Sequence, residues 1–429
     1  MSGVDPGVYK AILRVRQAYA FDIGCLLMRF FPYMVNIGTV TMLTLSGYSF
    51  FIAGLVSSTS ALATFLIVPR ISKLVDTYGQ SRIVPWAALA AMTGLALMLA
   101  IVLVRGPEWA LFVAAVPMGC SPNPPALART RWTFLIRSGK LGRRAPLLRT
   151  MFSYEGVLDD IGFMFSPAIS IALASGIVPV AGMVFGGAMF VCGTILLMTS
   201  RGTEPVPGWD SAEGAAEDFA HRKSVFRTSG VVRVLFVLML FVGAFYGVFD
   251  TATVSFAEEA GQPTIASVAL MIGSFISMVV GFAFGMMKLS APPYKQLAVF
   301  GAAIGIAYGS MMLIDSIPAL FAVTAVAAVT YAPFLIVANA VCERAVPGDR
   351  LTEAITWINA GITCGMAIGP SACGTIVDTA GTVASFDFGG CVALAIPVTV
   401  VICYRLVKRE LIAADRAHVV RPETGGEGE

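Results

Sequence analysis

Pro69-Arg70-Ile71-Ser72-Lys73-Leu74-Val75-Asp76-Thr77-Tyr78-Gly79-Gln80-Ser81-Arg82 is a short, charged stretch between two apolar runs of membrane-spanning length. Gly79 supplies a turn, and Asp76 stands where it could cap a helix start or pair with a nearby arginine. A polar turn between two long apolar runs is what a chain does when it crosses a bilayer and crosses back. The flanking sequence therefore decides the fold.

Across 429 residues, 57% are hydrophobic and 13% charged. Soluble globular chains carry about 25% charged residues, so this composition excludes that class. A spanning helix needs about 20 apolar residues, and twelve of them use roughly 240, close to the apolar content here. The apolar runs lie near 25–46, 50–69, 83–104, 108–128, 151–174 and 178–199, then near 233–254, 264–287, 296–315, 318–340, 353–376 and 386–407. Between the sixes lies a polar segment, 200–232, with Pro205, Pro207, Gly208 and the acids Asp210, Glu213, Glu217 and Asp218. Hence the expectation is an all-α integral membrane protein: a six-helix bundle over 1–199, a linker over 200–232, and a second bundle with a tail over 233–429.

The basic residues give the orientation. With the N-terminus inside, alternate loops hold Arg70, Lys73 and Arg82; the run Arg129 to Arg149; Arg201 to Arg233; Lys288 and Lys295; Arg344 and Arg350; and the tail from Arg405. The opposite side has Arg105, and Arg29 falls inside the first span. Such one-sidedness would be lost if a span were missed or invented. It supports twelve spans with both termini cytoplasmic.

The charged turn resembles the loop between helices two and three of the major facilitator superfamily, Gly-x-x-x-Asp-Arg-x-Gly-Arg-Arg. Asp76 and Gly79 match; Ser72 replaces the first Gly, Thr77 the first Arg, and Gln80-Ser81 the final basic pair, with Arg82 one place late. Further segments resemble a bacterial branch of that family: Arg129-Thr130-Arg131-Trp132, Glu155 to Phe163 with Ser166-Pro167, Gly243 to Asp250 with Phe256-Ala257-Glu258, and Leu351 to Ala354. The resemblance implies twelve helices in two six-helix bundles, transport of a small molecule by alternating access, and a bacterial inner-membrane location. Phe165-Ser166-Pro167 and Ile368-Gly369-Pro370, each near mid-span, echo one another as two copies of one unit would.

Charges at membrane depth carry the chemistry, since each costs about 2.5–3.5 kcal/mol at a helix centre. They are Arg29, Glu155, Asp159, Asp160 and Asp250. Glu155 and Asp159 are four apart on one helix face and repel unless protonated or paired, which makes them candidates for proton coupling. Asp160 is turned about 100° away. Because the resemblance makes spans one and five neighbours, Arg29 is a partner for Asp159, or it snorkels to the interface. Glu155 lies within reach of Arg129 and Arg131 as a gate or anchor. Asp250, in span seven with no basic neighbour in sequence, is a proton site, a cation-binding group or a solvated interfacial acid.

The polar residues Asn36, Thr39 and Thr41, with Tyr246, Tyr331, Asn339 and Trp357, are candidates to face a central cavity. Asp76, Gly79, Arg82, Arg131 and Glu353 are candidates for gating, with Glu353 meeting the Asp76 loop or Arg82 as a latch. Span five resembles a shortened antiporter motif (Gly156, Gly162, Ser166-Pro167), and Asn123-Pro124-Pro125 marks a break in span four. Gly361-x-x-x-Gly365-x-x-x-Gly369 offers a smooth face for close packing.

Nothing resembles a Walker loop, a nucleophile elbow or metal-ligand spacing, so neither an enzyme nor a cofactor or metal is expected. The eight cysteines form no Cys-x-x-Cys pair, and His221 and His418 both sit in polar segments, which excludes an intramembrane histidine relay. No basic cluster with interleaved aromatics points to nucleic acid. The expected function is a monomeric secondary transporter whose partners are a small molecule, protons and the bilayer. Proton-coupled efflux of an amphipathic compound is favoured, with Asp159 and Asp250 as leading groups. The alternatives are uptake or facilitated diffusion of a polar metabolite, and a membrane sensor of the same fold that moves nothing.

Overall fold

A computed structural model describes residues 18–138, 148–205, 225–285, 287, 291–346 and 351–419. The long apolar runs become helices, because backbone N–H and C=O groups in hydrocarbon have only each other as partners. In order these are α1 Tyr19–Leu45, α2 Phe50–Tyr78, α3 Gln80–Val104, α4 Glu108–Met118, α5 Pro124–Arg137, α6 Leu148–Gly176 and α7 Ala181–Thr199. Then come α8 Gly230–Glu259, α9 Thr264–Gly285, α10 Pro293–Gly309, α11 Ile317–Ala345, α12 Leu351–Ala380 and α13 Thr382–Val419, with a single helical turn at Val225–Thr228. No strand occurs among the described residues. Eleven of their helices are long and apolar enough to cross a membrane.

The twelfth apolar run is the fourth in sequence, and it is broken. α4 stops at Met118, and α5 restarts at Pro124 with Asn123 Oδ1 accepting from Ala126 N at 3.3 Å. Pro122, Pro124 and Pro125 have no N–H to continue the helical ladder, so the sequence that marked a break produces one. Most other helices outrun the apolar core. α1 starts at Tyr19, which brings Asp22 into its first turn, and α2 runs on to Tyr78. The chain then turns at Gly79, whose φ of 92° suits a residue without Cβ, and α3 follows at once.

Cα packing divides the chain into two compact units. The first holds α1 to α7 together with Thr253–Met271, the end of α8 and the start of α9; the second holds the remainder of α8 and α9 and all of α10 to α13.

In the first unit α1 is the central helix, packed on α2, α5, α6 and α7. Its core is built from Phe21, Cys25, Met28 and Phe31 of α1 with Trp132, Met151, Phe190 and Leu197. A second, smaller cluster joins Ile37 and Ile171 to Val254, Ala257 and Ala266, and Thr44 Oγ1 donates to Glu258 Oε1 at 2.8 Å beside it.

In the second unit α10 packs along α13, and α12 lies directly against α8. The predicted smooth face of α12 is that contact. A Cβ on Gly361 would fall 2.5 Å from Phe236 O and one on Gly369 2.5 Å from Ala244 O, while Gly365 is pressed on Leu240 O and Ala244 N. α8 answers with small residues of its own. Gly243 meets the backbone of Ile362, and a Cβ on Gly247 would lie 2.6 Å from Pro370 Cδ. Apolar lipid tails give no net hydrophobic drive for helix pairing, so dispersion at backbone contact holds such a seam.

Candidate transport site

The first unit buries one cation between two carboxylates. Arg29, on α1, is 0% exposed and its Nη2 donates to Glu155 Oε2 of α6, itself 0% exposed. Arg29 Nε stands 3.3 Å from Asp159 Oδ1, one helical turn further along α6, where the side chain is 29% exposed. The i,i+4 repulsion of Glu155 and Asp159 is thus relieved by inserting a guanidinium between them. Tyr33, one turn after Arg29, donates its hydroxyl to Asp159 Oδ1. α6 can come this close because of Gly162, where a Cβ would stand 3.2 Å from the Tyr33 ring and 3.4 Å from Arg29 Cβ.

The charges in this triad do not balance: one guanidinium faces two carboxylates. Nor are the hydrogen bonds complete, for Arg29 Nη1 and Glu155 Oε1 are enclosed without a partner among the described residues. A site with surplus negative charge and spare bonding capacity at membrane depth can take up a proton or the polar group of a ligand. Asp159 is its solvent-facing member and Glu155 its enclosed one.

The expected partnership of Arg29 with Asp159 is present; snorkelling of Arg29 is not. Glu155 was expected within reach of Arg129 and Arg131, and it pairs with Arg29 instead. Arg131 is 0% exposed and bound by neutral groups: Nε donates to Gln80 Oε1 at 2.7 Å, and Nη1 to Ser200 O at 2.8 Å and Thr203 Oγ1 at 2.9 Å. Its guanidinium carbon lies 5.8 Å from the Phe21 ring centroid. Next to it, Glu204 Oε1 accepts from Ser81 N at 2.7 Å, supplying the carboxylate at the start of α3 that Asp76 was placed to supply. Asp76 itself lies in the last turn of α2, exposed, with no ion pair among the described residues. Arg82 stands 5.9 Å from the Tyr78 ring centroid. The side chains of Glu353 and Asp160 lie outside the described residues.

Asp22 escaped the sequence reading, although it is buried at the foot of the same unit. Its Oδ1 accepts from Trp132 Nε1 at 3.1 Å and its Oδ2 from the Tyr154 hydroxyl at 2.7 Å. An acid one turn before an apolar run is the only trace it leaves in sequence. Thr39 and Thr41, expected on an open face, are buried in the helix packing, their hydroxyls without partners among the described residues. Asn36 is half-buried, two turns after Arg29, and its carbonyl accepts from Ser57 Oγ at 3.1 Å.

The second unit carries a different cluster. Tyr246 and Asp250 stand one turn apart on α8, both half-buried. Tyr308 of α10 donates to the Tyr246 hydroxyl at 3.1 Å, and the Tyr331 ring of α11 meets Tyr246 edge-on at 5.0 Å between centroids. Phe245 stacks on Tyr308 at 3.9 Å. Asp250 has no ion pair or hydrogen bond among the described residues. Asn339, two turns beyond Tyr331, is half-buried. Trp357 is placed elsewhere, packed on Phe226 at 4.6 Å and on Phe236 at 6.3 Å.

Two units of helices, eleven of them among the described residues long and apolar enough to cross a membrane, make this a multi-pass membrane protein. Comparison with known proteins gives that fold its name. Residues 293–422 match the family model of the Major Facilitator Superfamily. A single-residue variant of the nucleoside transporter NupG matches over 91% of this chain and 100% of its own, at 15% identity and a TM-score of 0.68. An auto-inhibited peptide transporter of the POT family matches over 92% and 97%, at 14% identity and a TM-score of 0.66. A bacterial homologue of the human lysosomal transporter Spinster matches over 93% and 98%, again at 14% and 0.66. No curated protein matches the sequence significantly. This is a protein of the Major Facilitator Superfamily fold, and at such identities the structural likeness is one of fold alone.

Proposed function

We propose that the protein is a secondary active transporter working by alternating access, which exports a small amphipathic compound in exchange for protons. It would act as a monomer in a bacterial inner membrane with both termini in the cytoplasm. The observation that carries this reading is the Arg29–Glu155–Asp159 triad. A single buried cation holds two carboxylates, one of which reaches solvent, so one proton can be bound or released without stranding an unpaired charge in the helix core. Asp159 is the group that exchanges the proton. Glu155 and Tyr33 hold it and Arg29 in register, and Asp250 serves the cargo side. The cargoes named for the structural relatives, nucleosides and peptides, differ from one another at equal likeness, so the choice of an amphipathic cargo rests on this chain's aromatic and acidic residues.

The test is proton movement in energised inside-out vesicles, followed with a pH-sensitive dye while amphipathic cations, neutral antibiotics and sugars are added in turn. A compound-dependent collapse of the gradient, lost in Asp159→Asn, supports antiport. Vesicles with well-inserted protein that respond to no compound, or that respond equally with Asp159→Asn, would refute it.

A further inference from the structure

We infer that Tyr246, Asp250, Tyr308 and Tyr331 form a recognition site for a monovalent organic cation inside the second unit. This names the cargo class for the transport reading above and rests on it only for the movement of that cargo, not for its binding.

Four observations converge. Asp250 is an acid within an apolar helix with no ion pair or hydrogen bond among the described residues, whereas Glu155 and Asp159 of the first unit share Arg29. It is half-buried, so it stays open to a ligand. Helical periodicity puts Tyr246 on the same face one turn away. Two further helices bring rings to that point: Tyr331 edge-on at 5.0 Å, and Tyr308 at 6.0 Å with an interplanar angle of 86°.

The arrangement is also pre-organised. Tyr308 is 1% exposed, stacked on Phe245 and committed as donor to the Tyr246 hydroxyl. That bond fixes the Tyr246 ring before any ligand arrives, so little side-chain entropy is lost on binding. A carboxylate one turn from the Tyr246 ring offers one full negative charge beside the negative π-face of a phenol, and the pair attracts a cation most strongly where water is scarce. An inorganic ion fits poorly, because a hard cation seeks six or more converging oxygens and this site presents one carboxylate and phenols. A neutral cargo would leave Asp250 uncompensated. The chemistry left is an ammonium or phosphonium carrying apolar groups.

Equilibrium binding of radiolabelled tetraphenylphosphonium to the purified full chain in detergent tests this, with triphenylphosphine oxide as a neutral competitor and sodium as an inorganic one. The expected result is saturable binding displaced by neither competitor. Kd should rise at least tenfold in Asp250→Asn and severalfold in Tyr246→Leu, and change less than twofold in Tyr246→Phe, which keeps the ring. Size-exclusion profiles matching the unsubstituted protein show that the variants fold. Equal displacement by the neutral oxide, an unchanged Kd in Asp250→Asn, or no binding up to millimolar cation by folded protein would each overturn the proposal. Cation binding without proton movement in vesicles would sink antiport and leave this site standing; proton exchange driven by neutral compounds and indifferent to Asp250→Asn would do the reverse.

Discussion

Glu155→Gln keeps the volume of a buried side chain and removes the closer of the two counter-charges of Arg29. The guanidinium then stays fully enclosed with Asp159 Oδ1, 3.3 Å from Nε, as its remaining ionic partner. Breaking a buried pair from one side costs about 3–5 kcal/mol, and the surviving carboxylate puts this variant near the lower end, about 3 kcal/mol. Asp159→Asn should cost about 1 kcal/mol, because that side chain is 29% exposed and Arg29 keeps Glu155. Arg29→Met strands two carboxylates and should also cost about 3 kcal/mol. The double variant Arg29→Met/Glu155→Gln removes both charges of the pair, so it should cost far less than the sum of its single changes, with a coupling of about 2–3 kcal/mol. The assay is reversible unfolding in mixed micelles, titrated with dodecyl sulfate and followed by far-UV circular dichroism. Costs that add to within about 0.5 kcal/mol would refute the pairing and, with it, the inserted-guanidinium account of the i,i+4 acids.

Further outcomes follow from the packing and from the anchored turn. Gly365→Leu should split the α8–α12 seam, since its side chain has only the Leu240 and Ala244 backbone to enter; we expect loss of folded protein on size exclusion, and Gly365→Ala to be milder, at about 1–3 kcal/mol. Arg131→Lys keeps the charge and loses the fork that reaches Gln80, Ser200 and Thr203 together, so it should lower the thermal midpoint nearly as far as Arg131→Met; full rescue by Lys would show that charge alone matters. Asp76→Asn should slow transport in vesicles while leaving insertion intact, and an unchanged rate would remove Asp76 from gating.

Much of the fold was legible because a bilayer leaves one solution for an apolar run of about 20 residues, and because Asn123-Pro124-Pro125 cannot continue a helix. Charges inside such runs identified Arg29, Glu155 and Asp159 before any geometry was known. Which charge meets which is another matter. Glu155 is 26 residues from Arg129 and 126 from Arg29, and its choice of the second depends on helix rotation that periodicity alone does not set. Asp22 was hidden because α1 begins six residues before the apolar run that revealed it, and Tyr33 because a tyrosine in an apolar run reads as ordinary packing. The spacing Gly361, Gly365, Gly369 announced a close contact without naming α8 as its partner, since Gly243 and Gly247 carry the same small-residue signal as many lipid-facing positions. Nor does the sequence show the ring partners of Trp357, since an aromatic near a helix start serves a cavity or a local ring cluster equally well; it packs on Phe226 and Phe236.

The most direct test of the central claim uses purified protein in proteoliposomes, loaded with the compound that the vesicle assay singles out. With a pH gradient imposed, cargo should move against its own concentration gradient, stop on addition of a protonophore, and lose this uphill movement in Asp159→Asn while downhill exchange persists. Cargo that merely equilibrates, at a rate indifferent to the pH gradient and to Asp159→Asn, would contradict proton-coupled transport and leave a facilitator of passive flux.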